Sequence, residues 1–180
     1  MIEHARLQFK WQRRVLRKSR LDFAAGLNTL AGPNGSGKST IIKALLQGTD
    51  CELQFKDSTE RRLFDTELMN PRVVSVPART PAEMALRLRG NFSSHGQMIR
   101  HTLAALPAGP CGMTLLVDEP EAGQDFAAVQ QIKRLMDAVC ERGYQIIVAS
   151  HHPVFWFGTC LIELESGYTR RVLEALATLR

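Results

Sequence analysis

Gly32-Pro33-Asn34-Gly35-Ser36-Gly37-Lys38-Ser39-Thr40 stands between an apolar run, Leu27 to Ala31, and a segment with helical spacing, Thr40 to Leu46. Ile41, Ile42, Leu45 and Leu46 fall on one side of that segment. A glycine, four residues, then Gly-Lys-Ser between a strand and a helix is the pattern of a phosphate-binding loop. The glycines let the backbone curl so that N–H groups of Asn34, Gly35, Ser36 and Gly37 turn inward toward phosphate oxygens. Lys38 adds a mobile positive charge for the β- and γ-phosphates. The Ser39 hydroxyl is a ligand for Mg²⁺, and Thr40 opens a helix whose unpaired N–H groups favour an anion. A bland glycine turn accounts for the glycines but not for Lys38-Ser39-Thr40 in this context. Nucleotide with Mg²⁺ is the expected ligand.

Further along, Met113 to Val117 is almost wholly apolar, as expected of a strand buried in a parallel sheet, and Asp118-Glu119-Pro120-Glu121 follows it. Asp118 at the strand end is placed to hold Mg²⁺ directly or through water. Glu119, one residue on, is placed to orient or deprotonate the water that attacks the γ-phosphate. Alone, two acids could merely solvate a strand end; with the loop upstream they form the second half of one site.

The remaining order supports an α/β fold. Two short strands are expected at Leu7 to Trp11 and Val15 to Phe23, then the strand, loop and helix through Leu46. Gly48 to Asp65 reads as a short strand with exposed turns, and Val73 to Val76 as a compact strand ended by Pro77. A brief helix at Glu83 to Leu88, a helix to about Leu106, a longer one from Phe126 to Cys140 and a strand at Tyr144 to Ala149 follow. Leu161 to Leu164 and Tyr168 to Val172 read as a closing hairpin about Gly167. Strands alternating with helices around a phosphate loop predict a mostly parallel central sheet, with active groups at the carboxyl ends of its strands. One domain over 1–180 is expected, with basic amino-terminal antiparallel strands at 1–26 and a reduced helical region at 84–106.

The two halves of the site together resemble the ABC-type ATPase fold, the nucleotide-binding domain shared by transporters and by SMC/Rad50/RecF-like proteins. Ser94-His95-Gly96-Gln97 is similar to that family's Ser-Gly-Gly-Gln signature, with His95 in place of the first glycine. Ser150-His151 resembles its switch-histidine segment. The set Asp-Glu-Pro-Glu-Ala-Gly, Ser-His-Gly and Ala-Ser-His-His-Pro is closest to small soluble ATPases of that group. The resemblance implies that two subunits pack head to tail around two ATP molecules. Ser94 and the Gly96 backbone of one would then meet the γ-phosphate held by Lys38 and Ser39 of the other. It implies that His151 senses that phosphate and helps place the attacking water, with His152 as the competing candidate. Asp125 takes the place of the aspartate that crosses the dimer interface, and Phe9 or Trp11 that of an adenine-stacking ring. A cap before a helix (Ser94), a surface histidine (His151) and strand-core packing (Phe9, Trp11) are the structural alternatives.

The chain departs from the family at two points. Ala78 stands where a Mg²⁺-reaching glutamine is usual. About fifteen residues separate Pro77 from Ser93, where transporter subunits insert a long helical subdomain. The leading expectation is therefore a soluble Mg²⁺-dependent ATPase that dimerises around ATP to drive a conformational cycle, with DNA maintenance or defence as its setting. A non-catalytic ATP-dependent dimerisation switch and an ATPase subunit of a transporter are the alternatives. A small-molecule kinase would need an acceptor-binding lid.

Charge is concentrated at the start: residues 1–20 carry net +6 against +5 for the whole chain, so the remainder is −1. Arg6, Lys10, Arg13, Arg14, Arg17, Lys18 and Arg20 form this patch, open to readings as a DNA contact, an acidic protein or lipid contact, or a solvated edge that discourages strand aggregation. No apolar run reaches the ~20 residues of a membrane span. With no signal-like leader, a cytoplasmic location is expected. Cys51, Cys111, Cys140 and Cys160 lie far apart, which suits reduced thiols better than a metal site or a disulfide framework.

Overall fold

In the computed structural model, residues 1–7, 20–49, 51–56, 60–65, 103, 106 and 113–179 are described, the side chains of 64 and 65 excepted. Five parallel strands make the central sheet, in the order β5-β6-β7-β3-β8. They are β3 (Leu27–Ala31), β5 (Arg61–Asp65), β6 (Thr114–Asp118), β7 (Gln145–Ser150) and β8 (Cys160–Glu163). A second sheet of three antiparallel strands, ordered β2-β1-β4, comprises β1 (Ile2–Leu7), β2 (Arg20–Asp22) and β4 (Cys51–Phe55). The helices are α1 (Lys38–Gln47), α2 (Phe126–Glu141) and α3 (Tyr168–Ala177), with a 3₁₀ turn at Pro153–Trp156.

The period-two pattern of the inner strands explains the layering. Leu115, Val117, Ile146 and Val148 share one cluster with Val129, Ile132, Met136 and Val139 of α2. Their neighbours Leu116, Ile147 and Ala149 join Ile41, Ile42 and Leu45 of α1 and Ile2, Ala5 and Leu21 of the antiparallel sheet on the other face. The central strands are thus apolar on both faces, as a sheet covered on both sides requires. Polar residues buried in it are bonded. Asn28 Oδ1 accepts from Ala24 N at 2.7 Å, and Thr29 Oγ1 donates to Phe155 O at 2.7 Å. Gln145 joins the two sheets: its Oε1 accepts from Ile2 N and from Thr114 Oγ1, and its Nε2 donates to Ile2 O and Ala24 O, each at 2.8 Å.

The α/β class with antiparallel amino-terminal strands is as expected, but several elements differ. The first strand is Ile2–Leu7, ending where the sequence pattern would have begun it. Gly48 to Asp65 holds two strands in different sheets, β4 beside β1 and β5 at the edge beside β6. Tyr168 to Val172 is helical, not the second arm of a hairpin. The cause is Glu163, whose carboxylate accepts from Gly167 N at 2.9 Å and Thr169 N at 2.8 Å, and so caps α3 from the end of β8. Gly167 (φ 71) supplies the left-handed turn into that helix. The strand expected at Val73 to Val76, with Pro77 and Ala78, lies outside the described residues. Of the helical region expected at 84–106, only Leu103 and Leu106 are among the described residues: Leu103 is helical and fully buried, and Arg142 donates to Leu106 O at 2.7 Å and Leu103 O at 3.1 Å. Burial pushes the Cys140 thiol up to about 12, in keeping with an unreactive thiol.

Candidate nucleotide site

Sheet order determines which residues meet. β3 lies between β7 and β8, and β7 between β3 and β6, all parallel, so the loops leaving β3, β6 and β7 emerge side by side at the carboxyl end of the sheet. The loop after β3 runs from Gly32 to Gly37, with Gly35 (φ 76) and Gly37 (φ 89) in the left-handed region. A Cβ on Gly32 would come within 2.6 Å of Ser36 Oγ and 3.1 Å of Ser36 Cβ, so a larger residue there would force Ser36 to shift. The Ser36 hydroxyl is buried with no hydrogen-bond partner among the described residues. A group in that state calls for an external partner.

Lys38 opens α1. Its ammonium is folded back over the loop, donating to Gly32 O at 2.9 Å and Pro33 O at 3.0 Å, and the residue is buried. Burial lowers its pKa; Glu119, Glu121 and Asp118 oppose that by favouring the charged form. Ser39, next on the helix, donates from Oγ to Asp118 Oδ1 at 3.1 Å. Two oxygens on neighbouring positions of an octahedral Mg²⁺, with bonds of 2.0–2.1 Å, stand roughly 2.9 Å apart. The pair therefore fits one edge of a Mg²⁺ shell. No cluster of three His, Cys, Asp or Glu residues suited to a metal occurs among the described residues, so the other ligands would be phosphate and water.

Glu119 has φ 43, the only positive value outside glycine among the described residues. Its N–H donates to Ala149 O at 2.9 Å, which ties the end of β6 to β7 while the chain turns away. Left-handed backbone at a bulky residue is strained, and such strain gathers at working sites. At the end of β7, Ser150 is buried, and the side chain of His151, the next residue, is 45% exposed. Glu121 lies beneath them: its Oε1 accepts from Ser150 Oγ at 2.6 Å and His151 N at 3.1 Å, with His151 Nδ1 at 3.4 Å. Sequence reasoning quoted Glu121 but gave it no role, because its partners are 29 and 30 residues away. His152 accepts at Nδ1 from Val154 N at 3.2 Å and caps the 3₁₀ turn, a structural post. Asp125 caps α2, accepting from Ala128 N at 2.8 Å.

The structure thus brings Asn34 through Thr40, Asp118, Glu119 and His151 to the same carboxyl end of the sheet. Ser94, Gly96, Phe9 and Trp11 lie outside the described residues, as do Lys10, Arg13, Arg14, Arg17 and Lys18 of the basic patch. Its remaining members, Arg6 and Arg20, are exposed, and Arg20 pairs with Asp22 at 2.7 Å.

A family model described as an AAA domain matches residues 10–72. The chain is 28% identical over 163 residues to the cytochrome c biogenesis ATP-binding export protein CcmA of Novosphingobium aromaticivorans, covering 78% of this chain and 82% of that one. It is 26% identical over 161 residues to the vitamin B12 import ATP-binding protein BtuD of Escherichia coli, where it spans 68% of its own length and 65% of the relative's. Among solved structures, the ATP-binding cassette MJ0796, a dimer in a post-hydrolysis state bound to ADP and Pi, superposes with a TM-score of 0.57 at 18% identity. That match covers 82% of this chain and 85% of the other. An ABC-transporter-type ATP-binding protein from Pyrococcus furiosus gives a TM-score of 0.60 at 16% identity, over 89% and 97% of the two chains. The described architecture and these superpositions agree: the chain has the α/β phosphate-loop fold of the ABC-type ATPases.

Proposed function

We propose that this chain hydrolyses Mg-ATP in a head-to-tail homodimer and works as the ATPase subunit of an ABC-type transport system. The observation that carries the chemistry is the meeting of Ser39 and Asp118 across 3.1 Å, with Lys38 preceding Ser39 on α1 and Glu119 following Asp118 at the end of β6. Lys38 leaves the loop carbonyls for the phosphates, and loop N–H groups from Asn34 to Thr40 take the oxygens of the anion. Ser39 and Asp118 would hold Mg²⁺, which would supply positive charge against the phosphates. Glu119 accepts a proton from the attacking water, and His151 faces the γ-phosphate. Ser94 and Gly96 of the second subunit complete the site.

The choice of transport over DNA maintenance rests on the relatives, an export and an import ATP-binding protein. Against it stand the short Pro77–Ser93 span and Ala78, which leave little room for the usual grip on a membrane partner. No helix among the described residues is long and apolar enough to cross a membrane.

Phosphate release with Mg-ATP tests the reading, with and without duplex and single-stranded DNA. Turnover is expected to be indifferent to DNA and abolished by Lys38→Ala. Glu119→Gln is expected to accumulate as an ATP-bound dimer by light scattering. Turnover unaffected by Lys38→Ala would refute the site; stimulation by DNA would move the protein out of transport.

A further inference from the structure

Glu121 is an expensive residue to bury. Its side chain is 5% exposed, its only ion-pair contact among the described residues is His151, and its Oε2 is buried with no hydrogen-bond partner among them. A carboxylate removed from water needs its lone pairs filled, and a staple between two loops is made at lower cost by an amide or a hydroxyl. The filled oxygen, Oε1, is aimed entirely at the last residue of β7 and the one that follows it. Ser150 Oγ donates to it at 2.6 Å while itself accepting from His152 N at 2.9 Å. His151 presents both its backbone N–H, at 3.1 Å, and its ring Nδ1, at 3.4 Å. One carboxylate oxygen therefore fixes the backbone on both sides of His151 and also faces its ring.

We propose that Glu121 is the positioning residue for His151, an inference that rests on His151 working at the γ-phosphate. With the carboxylate beside Nδ1, the imidazole carries its proton there, and the other ring nitrogen, Nε2, is left for the nucleotide side. Fixing the tautomer and angle of a histidine by a buried acid is a recurrent device, and its loss appears in turnover more than in binding.

The test is a double-mutant cycle on phosphate release by the full chain, using Glu121→Gln, His151→Ala and the pair. Glutamine keeps the size of the side chain and an oxygen for Ser150, so the fold is retained. Glu121→Gln is expected to lower kcat roughly 10-fold with KM for Mg-ATP changed less than about twofold. The pair is expected to turn over no more slowly than His151→Ala alone, since a residue acting through another has nothing left to act on. Losses that multiply in the pair, or a Glu121→Gln enzyme with wild-type kcat, would overturn the coupling. Wild-type turnover by His151→Ala would instead remove the reading of His151, and the proposal with it. Nitrogen chemical shifts of the His151 ring in the wild-type chain give a readout free of any variant: protonation at Nδ1 is expected, and a neutral ring protonated at Nε2 refutes the proposal.

Discussion

Glu119 and His152 show how single side chains set stability at the carboxyl end of the sheet. Glu119 holds φ 43. Glycine adopts that conformation without strain, so Glu119→Gly is expected to raise the unfolding free energy by about 1 kcal/mol while abolishing phosphate release. A urea titration beside a turnover assay checks both. His152 carries a pKa below its ordinary 6.5 because burial disfavours the imidazolium; Glu121 opposes this shift and His151 reinforces it. Its Nδ1 also accepts from Val154 N, which a protonated ring cannot do. In the window between the lowered folded value and 6.5 the unfolded chain binds more protons, so stability falls as pH drops through that window. Thermal melts from pH 7 to 5 are expected to show this slope, and His152→Asn, a good cap without a titrating group, to flatten it. Ser39 and Asp118 announce themselves in sequence because their motifs are local. Glu121 does not, since its meaning comes only when β6 and β7 lie side by side.

At the scale of elements, caps explain both what was readable and what was not. Leu27–Ala31 and Phe126–Glu141 follow from patterns contained in their own residues: a buried apolar run, and an apolar stripe opened by Asp125. Asp125→Ala should cost about 1 kcal/mol through loss of the cap alone, measurable as a shift in the urea midpoint at unchanged slope. The helix Tyr168–Ala177 was hidden because its capping carboxylate, Glu163, belongs to the preceding strand, while Thr169 and Val172 favour strands by themselves. β5 was hidden for a similar reason. Arg61 and Arg62 look like surface turn residues until β6 is available as their parallel neighbour.

Across the whole molecule, Gln145 is the joint between the antiparallel sheet and the central one. Replacing it with leucine leaves Ile2 N, Ile2 O and Ala24 O without their buried partner, so Gln145→Leu should cost about 2–3 kcal/mol, read from urea unfolding. The same joint orders events in time. Ile2 meets a residue 143 positions later, and β3, which carries the phosphate loop, pairs only with β7 and β8. A chain emerging from the ribosome therefore holds its loop sequence long before it holds the strands that shape that loop. Until the residues of β8 have emerged, the loop lacks one of its two flanking strands. A chain cut short before Cys160 is therefore expected to carry the motif without the strand pairing that shapes the loop.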